Sequence, residues 1–220
     1  AAIGLVFWAH RMMQMDADGE YGDVMELALY NGVISGVSLD GKKFYYANRL
    51  AVHPEAPKYG HCTFPAARQE WFGCACCPPN LARILASLGE YIYSQSSDEL
   101  RVHLFAESKA TADIGGNKVT IEQRTQYPWR EKVLVIISPE KQGEFTVSIR
   151  IPGWCRKPKI LVNGKALDLK KSVVKGYARI KHKWQKGDRI ELALPMPVER
   201  IEANPRVRQD VGRVALMRGP

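Results

Sequence analysis

The chain has 220 residues, of which 45% are hydrophobic and 25% are charged, and this is the composition of an ordinary globular protein. No apolar run approaches the roughly 20 residues needed to cross a bilayer, so no membrane partner is expected. The net charge of +9 is distributed unevenly: residues 1–92 carry 7 Lys and Arg against 9 Asp and Glu, whereas residues 93–220 carry 25 against 14.

The basic second half is compatible with binding to nucleic acid or acidic glycans, and also with a lysine-rich, well-hydrated surface. Its lysines are scattered over predicted strands and turns, without a basic run or aromatic residues spaced for base stacking. The hydrated surface is the better interpretation, and nucleic acid is not an expected partner.

Three helices are predicted in the first 92 residues. The segment AAIGLVFWAHRMMQMD places apolar residues nearly all round a helix, which predicts burial on most sides. YGDVMELALYNGV predicts a second helix, capped at Gly22-Asp23 and ending at Asn31-Gly32. PPNLARILASLGEYIY predicts a third helix, with its two prolines before or in the first turn.

From Tyr91 onward the hydrophobic period changes to two, which is typical of strands. About eight short strands are predicted, separated by turn signals such as Gly115-Gly116 and Asn163-Gly164. This spacing predicts an antiparallel β-sandwich, and the boundary with the helical part is expected near residue 92. The predicted fold class is therefore α+β, with parts at residues 1–92 and 93–220.

Both ends of the chain lack the signals that usually begin and end a domain. The first helix starts in mid-pattern without an N-cap, and the last predicted strand, GRVALMRGP, stops at a Gly-Pro turn. The chain is therefore expected to be a fragment of a longer protein.

Three of the five cysteines, Cys74, Cys76 and Cys77, are crowded into the stretch GCACCPPN. A secreted disulfide framework would space an even number along the chain, so a reducing, cytoplasmic location is expected. Three soft ligands ahead of a helix favour a zinc site, whose fourth ligand could be His61, Cys62 or a residue outside the chain. A redox or nucleophilic thiol, or inert buried cysteines, are the alternatives on residue chemistry alone.

The motif WFGCACCPPNLAR, with VMELALYNGVISGVSLDGKKFYYANRL and AAIGLVFWAHRM before it, resembles glycoside hydrolase family 127, the β-L-arabinofuranosidases. The resemblance covers nearly the whole chain, and the Cys-Cys-Pro-Pro-Asn block is its most specific part. It implies the C-terminal helices of an (α/α)6 barrel followed by a truncated β-sandwich. It also implies a retaining mechanism in which a zinc-bound cysteine thiolate is the nucleophile.

The same resemblance implies roles for individual residues. Cys76 corresponds to the catalytic nucleophile, and Cys76 and Cys77 correspond to zinc ligands. The sugar-facing tyrosine of the family corresponds to Tyr46, with Tyr45 as the alternative, and Glu26 and Cys74 correspond to residues near the sugar. The two other zinc ligands, from a Glu-x-Cys motif, and the acid/base glutamate are expected upstream of the first residue. Without the resemblance, Glu26 would more often be a solvated or salt-bridged helix residue, and Tyr46 a packing residue.

The resulting expectation is a fragment of a retaining enzyme that releases L-arabinose from β-L-arabinofuranosides and is inactive alone. Zinc is the expected cofactor and a carbohydrate the expected partner, and a homodimer is left open. The alternative is a non-catalytic β-sandwich module that binds a glycan or a protein partner, with the cysteines forming a structural zinc knot.

Overall fold

The computed structural model of the protein describes residues 1–48, 67–74 and 76–220. The candidate ligands His61 and Cys62 lie outside these residues. Helices dominate the described part before residue 92 and strands dominate the part after it, which confirms the α+β class. Among the described helices, none has the length and apolar character that a membrane span requires.

Before residue 92, the described residues contain three α-helices, which are extended by 3-10 turns and by one π turn, and two short helical elements lie further along the chain. The helical elements are α1 (Ala2–Met15), α2 (Gly19–Leu27), a π turn (Ala28–Val33), a 3-10 turn (Ile34–Gly36), α3 (Pro78–Ser87), a second 3-10 turn (Leu88–Tyr91), the short α4 (Leu169–Ser172) and a third 3-10 turn (Arg208–Asp210). α2 runs directly into the π turn, so one continuous helical segment extends from Gly19 to Gly36.

The sequence predicted that helix α1 is buried nearly all round. In the described residues it is buried on one face only. Val6, Ala9 and Met13 are buried in a cluster shared with α2, the π turn and α3. Trp8 and Met15, in contrast, are 51% and 81% exposed. The described residues cover only one side of this helix, so its apolar character exceeds what they bury.

The N-cap of helix α2 lies four to five residues before the cap that its sequence suggested. Asp18 is the N-cap, and its side chain accepts a hydrogen bond of 2.9 Å from the backbone N–H of Glu20. The predicted cap at Gly22-Asp23 is wrong because both residues serve a contact with the β-sandwich. A Cβ atom added to Gly22 would lie 2.5 Å from Cδ of Arg150, so only glycine allows this approach.

Thirteen strands follow the helical part. They are β1 (Tyr93–Gln95), β2 (Glu99–Val102), β3 (Ser108–Ile114), β4 (Asn117–Thr125), β5 (Lys132–Pro139), β6 (Gly143–Arg150), β7 (Lys159–Val162), β8 (Lys165–Ala166), β9 (Val173–Val174), β10 (Tyr177–Trp184), β11 (Asp188–Ala193), β12 (Glu199–Ile201) and β13 (Ala215–Met217). The predicted turn at Asn163-Gly164 is present, and both residues have positive φ values of 49° and 78°.

The strands form two main sheets, ordered β1-β2-β6-β10-β9 and β3-β4-β5-β11-β7-β8, and β12 pairs separately with β13. The sandwich is not wholly antiparallel, because β2 pairs with β6 in parallel. The hairpins of β3, β4 and β5 belong to the other sheet, so the chain leaves the first sheet after β2 and returns to it in the same direction.

The sandwich core lies between the two main sheets. Along β5, Val133, Val135 and Ile137 are almost fully buried and alternate with more exposed residues, as a period of two predicts. Trp184 is fully buried at the end of β10, and its indole N–H donates a hydrogen bond of 3.0 Å to the backbone oxygen of Phe145. This core is distinct from the smaller cluster that joins the helices.

The contact between Gly22 and Arg150 generates a stability prediction. Gly22→Ala should lower the free energy of unfolding by about 1–3 kcal/mol, because the new methyl group overlaps the aliphatic stem of a fully buried arginine. Gly4→Ala is the matched control, since Gly4 is also in a helix but has open space around its Cβ position. This control should be neutral or stabilising by up to about 1 kcal/mol. Denaturant unfolding of both variants checks the prediction, and equal stability for the two would contradict it.

Candidate active site

The three crowded cysteines lie on the segment that leads into helix α3. Cys77 is the residue before the helix, and Pro78 opens it. The side-chain amide of Asn80 donates a hydrogen bond of 3.1 Å to the backbone oxygen of Cys76, which ties the cysteine segment to the first helical turn. All three thiols are free and exposed, and they lie where the helix dipole stabilises negative charge.

Tyr46 brings the three thiols into one cluster. Its hydroxyl donates a hydrogen bond of 3.4 Å to Sγ of Cys74. Sγ of Cys76 lies 4.0 Å from Sγ of Cys77. Hydrogen bonding to Cys74, and to Cys77 and Cys76 after it, raises the pKa of Tyr46 well above its usual value. The predicted sugar-facing tyrosine and the predicted thiols therefore share one site.

Two hydrogen bonds in the cluster favour the thiolate form of Cys74. The hydrogen bond from Tyr46, followed by one from the backbone N–H of Cys76, lowers the pKa of Cys74 below that of a free thiol. Cys155 in the sandwich differs, because burial raises the pKa of its thiol. The pKa values of Cys74 and Cys155 are therefore shifted in opposite directions.

A short antiparallel arrangement holds Tyr46 in place. Phe44 bridges to Val37 on one side and to Gln69 on the other. The ring of Phe72 is buried and contacts the rings of both Phe44 and Tyr46 at centroid distances of 5.4 Å. This aromatic support lies directly before the cysteine segment, so it fixes the tyrosine relative to the thiols.

A pocket of about 590 Å³ adjoins the cluster. It is bounded by the start of α1, the end of the π turn, the Phe44–Asn48 segment and the first turns of α3. Its lining residues are Ala1, Ala2, Ile3, Gly4, Phe7, Gly32, Val33, Gly36, Phe44, Tyr45, Tyr46, Ala47, Asn48, Cys77, Pro78, Asn80, Leu81 and Arg83. Aromatic rings, amides and a guanidinium group around one concave surface are a usual setting for a small polar ligand.

The thiol pair fits one side of a zinc site. Two thiolates bound at about 2.3 Å to one tetrahedral zinc ion lie about 3.8 Å apart. The separation of 4.0 Å between Sγ of Cys76 and Sγ of Cys77 is close to this distance. Among the described residues, no group of three or more His, Cys, Asp or Glu side chains is arranged to hold a metal ion. The described residues therefore offer a pair of ligands rather than a closed site.

Glu26 does not line this pocket and lies instead against the sandwich. Its side chain is fully buried, and its Oε1 atom is 2.7 Å from both Nη2 of Arg150 and the hydroxyl of Tyr127. The indole N–H of Trp154 donates a hydrogen bond of 3.2 Å to its other oxygen. Its role in binding substrate stays a prediction, and its observed contacts are those of an interdomain residue.

Sequence reasoning missed two polar residues of the pocket. Arg83 lies 4.6 Å above the ring of Phe7 and donates a hydrogen bond of 2.9 Å to the side-chain oxygen of Asn80. Asn80 in turn holds the cysteine segment, as described above. The available signal was spacing, since Asn80 and Arg83 lie four and seven residues after Cys76 and so follow one face of α3.

Two family models match the chain. The model described as the GH127 catalytic domain of β-L-arabinofuranosidase matches residues 1–90, and the GH127 middle domain matches residues 99–196. The chain belongs to glycoside hydrolase family 127. This finding confirms the resemblance carried by the cysteine motif.

Relatives of this family-127 chain are known from sequence and from structure. The non-reducing end β-L-arabinofuranosidase of Bifidobacterium longum subsp. longum is 39% identical over 231 residues, which cover 100% of this chain and 34% of that protein. The crystal structure of a GH127 β-L-arabinofuranosidase from Geobacillus stearothermophilus T6 is 53% identical with a TM-score of 0.91, covering 99% of this chain and 34% of that one. A further GH127 β-arabinofuranosidase structure is 38% identical with a TM-score of 0.89, covering 100% and 35%.

For all three relatives, the matched region is nearly all of this chain but only part of the relative. This chain spans roughly a third of the length of each protein, although nearly all of its own residues are matched. Membership of the family and the similarity of the fold are therefore established for the chain. The activity of a whole protein is a separate question.

The hydrogen bond between Tyr46 and Cys74 generates a prediction about pH dependence in the metal-free protein. Tyr46→Phe removes the donor that lowers the pKa of Cys74, so the pKa should rise and the alkylation rate of Cys74 should fall at neutral pH. Mass spectrometry of the peptide containing Cys74, after timed iodoacetamide treatment across a pH series, checks the shift. Tyr45→Phe is the matched control and should leave the curve unchanged. Superimposable curves for Tyr46→Phe and the wild type would contradict the assignment.

Proposed function

We propose that this chain is part of a longer retaining glycoside hydrolase that releases L-arabinose from β-L-arabinofuranosides. The observation that carries the proposal is the pair of Cys76 and Cys77 thiols, 4.0 Å apart, in a family-127 chain in which Cys77 lines a pocket together with Tyr46. A retaining glycosidase needs a nucleophile on one face of the anomeric carbon and an acid about 5 Å away. The thiol cluster supplies the first of these groups.

In the first step of the proposed reaction, the thiolate of Cys76 attacks the anomeric carbon. A C–S bond forms as the glycosidic C–O bond breaks, and a general acid outside this chain protonates the leaving oxygen. In the second step water attacks the same carbon and gives its proton to the now deprotonated acid/base group, while the C–S bond breaks and Cys76 leaves as a thiolate. Two inversions at one carbon retain its configuration.

Cys76 and Cys77 are the proposed zinc ligands within this chain. When bound, zinc keeps the nucleophilic thiol deprotonated and lowers its basicity, which favours its departure in the second step. The separation of the two sulfur atoms and their position ahead of α3 support this role. The remaining ligands are proposed to come from the segment before this chain, as is the acid/base glutamate.

Tyr46 and Cys74 are proposed to bind or orient the sugar. Tyr46 lines the pocket and is held by the buried ring of Phe72, so its hydroxyl has a fixed position relative to the thiols. Cys74 accepts the hydrogen bond of that hydroxyl and so aligns it. Both residues are proposed to act next to the nucleophile without forming a covalent bond to the sugar.

The proposed architecture completes the helical part with further helices. We propose that residues 1–92 form the end of an (α/α)6 barrel and that residues 93–220 form a β-sandwich. The exposed apolar side chains of Trp8 and Met15 on α1 support this, since a neighbouring barrel helix would cover such a surface. The free thiols support a reducing, cytoplasmic location.

The alternative function is a non-catalytic module with a structural zinc knot. Structural zinc sites are usually closed by four protein ligands and shielded from the solvent. Cys77 lines a pocket together with Tyr46, which favours the catalytic interpretation. Activity of the full-length protein separates the two functions, because a structural knot requires none.

The nucleophile assignment generates the first functional prediction. In the full-length protein, Cys76→Ser should abolish hydrolysis of an aryl β-L-arabinofuranoside, because a serine hydroxyl ionises poorly and leaves poorly. Cys155→Ser is the matched control: it changes a buried sandwich thiol and should leave kcat unchanged. The 220-residue chain alone should show no turnover, since loss of a general acid costs about 10²–10⁴-fold. Near-normal turnover by Cys76→Ser would assign the nucleophile to another residue.

Zinc binding gives a second functional prediction. The 220-residue chain should bind zinc weakly and lose it to a competing chelator, because Cys76 and Cys77 supply at most half of a four-ligand shell. The full-length protein should retain one zinc per chain after the same treatment. Metal analysis after gel filtration compares the two. One tightly held zinc in the short chain would show that residues within it, such as Cys62 or Cys74, complete the shell.

A further inference from the structure

A fully buried arginine of the sandwich lies between the two parts of the chain. Arg150, at the end of β6, has no exposed surface. Its Nη1 atom hydrogen bonds to Asp23, its Nη2 atom lies 2.7 Å from Glu26, and its Nε–H donates a bond of 2.6 Å to the backbone oxygen of His103. Both carboxylates come from α2, so one guanidinium group joins that helix to the sandwich.

The carboxylates of α2 receive further bonds from the sandwich. Asp23 accepts bonds of 3.0 and 3.1 Å from the backbone N–H of Gly153. Glu26 accepts bonds from Tyr127 and Trp154, as described above. Burial lowers the pKa of Arg150, but Glu26 and Asp23 outweigh burial and raise it, so the guanidinium is charged. The cluster is a charged, hydrogen-bonded contact that joins α2 to the sandwich through Asp23 and Glu26, which lie about one helical turn apart.

The helix held by this contact continues into the wall of the pocket. The π turn and the 3-10 turn follow α2 without a break and contribute Gly32, Val33 and Gly36 to the lining. The distance along the helix from Glu26 to Gly32 is about 9 Å at 1.5 Å per residue. A shift of α2 is therefore transmitted to one side of the pocket.

The same turns also carry the segment that bears Tyr46. The backbone N–H of Tyr45 donates a bond of 3.1 Å to the oxygen of Gly36. The side-chain amide of Asn48 donates to the oxygen of Gly32 at 3.3 Å and to Oγ of Ser35 at 2.8 Å. The residues on both sides of Tyr46 are thus bonded to the helical segment that Arg150 holds.

We infer that Arg150 is a positioning residue for the candidate site, although it belongs to the sandwich and does not line the pocket. By holding Glu26 and Asp23 it sets the position of α2, and through the π turn it sets the position of Tyr46 relative to the thiols. The sandwich is accordingly a part of the catalytic apparatus rather than an attached module. The catalytic consequence rests on the proposed function, whereas the structural consequence does not.

A second ion pair between the two parts provides a matched control. Nζ of Lys175 lies 2.7 Å from the carboxylate of Asp16, and both side chains are about half exposed. It joins the sandwich to the end of α1, and neither residue lines the pocket. Lys175→Met removes this ion pair but keeps the backbone hydrogen bond from the N–H of Gly19, at the start of α2, to the oxygen of Lys175, and it leaves the contacts of Arg150 with Asp23 and Glu26 in place.

The experiment uses the full-length protein with the variants Arg150→Lys, Arg150→Met, Glu26→Gln and Lys175→Met. Kinetics are measured well below the melting temperature of each variant, so that the folded fraction is the same. Arg150→Lys keeps the charge but loses the planar fork that reaches both carboxylates. It should lower kcat about 10- to 100-fold, with a smaller change in KM, because misplacing a reactive group by about 1 Å costs up to about 10²-fold. Lys175→Met should keep wild-type kinetics.

Hydrogen exchange of the backbone amides provides a measurement that needs no activity. Arg150→Lys should speed exchange selectively in residues 28–48, and Lys175→Met should not. If Arg150→Met fails to fold, Arg150→Lys alone decides the outcome. An inactive wild type would refute the proposed function, while exchange would still test the position of α2.

Two results would overturn the inference. The first is a folded Arg150→Lys variant with wild-type kcat and unchanged exchange in residues 28–48, which would make Arg150 a stabilising residue only. The second is loss of activity in Glu26→Gln with full activity in Arg150→Lys. That pattern would mean that Glu26 contacts the sugar directly and that its contact with Arg150 is incidental.

Discussion

The relation between the helical part and the sandwich depends on one buried charge. A guanidinium group removed from water is tolerated only when nearby acceptors replace its hydration. Arg150 finds hydrogen-bond acceptors in Asp23 and the backbone oxygen of His103, and the Glu26 carboxylate forms an ion pair with its Nη2 atom. Because the carboxylates come from one helix and the arginine from one strand, the requirement for pairing specifies how the two parts fit together. Gly22 permits the approach by having no side chain.

The thiol site follows a different physical logic from this interface. Its sulfur atoms are exposed and close together, so thiolates at Cys76 and Cys77 would repel each other unless a cation or hydrogen-bond donors compensate for their charge. Tyr46 supplies one donor, and the N-terminus of α3 supplies a favourable dipole. The site therefore brings together sulfur atoms that can carry negative charge, whereas the interface buries a balanced set of charges.

The sequence predicted those features that local patterns report directly. Strands such as β5 and β10 were recognisable because alternation of apolar residues reflects one buried face. The cysteine motif identified the site because adjacent thiols are rarely useful for packing. The role of Arg150 was not predictable, since its partner Asp23 is 127 residues away and an arginine at the end of a strand usually faces water. Glu26 looked like a surface residue for the same reason.

Long-range geometry also explains the errors in the predicted elements. Gly22-Asp23 resembles a helix cap, but the Asp23 carboxylate serves the sandwich and the cap is Asp18. The parallel pairing of β2 with β6 depends on which sheet receives the hairpins between them, and no local pattern contains that information. The apolar surface of α1 was recognised correctly, but the residues that cover it cannot be inferred from the helix itself.

The π turn at Ala28–Val33 has a consequence for the phase of the helix. The backbone N–H of Ile34 bonds to the oxygen of Leu29, five residues earlier, so this turn contains one more residue than an α-helical turn. Each residue of an α-helix advances the side-chain direction by about 100°. The extra residue therefore shifts the side-chain direction of the residues after the turn by roughly this angle relative to an unbroken α-helix of the same sequence. Because of this extra residue, one continuous helical segment directs one face toward the sandwich and a different face toward the pocket.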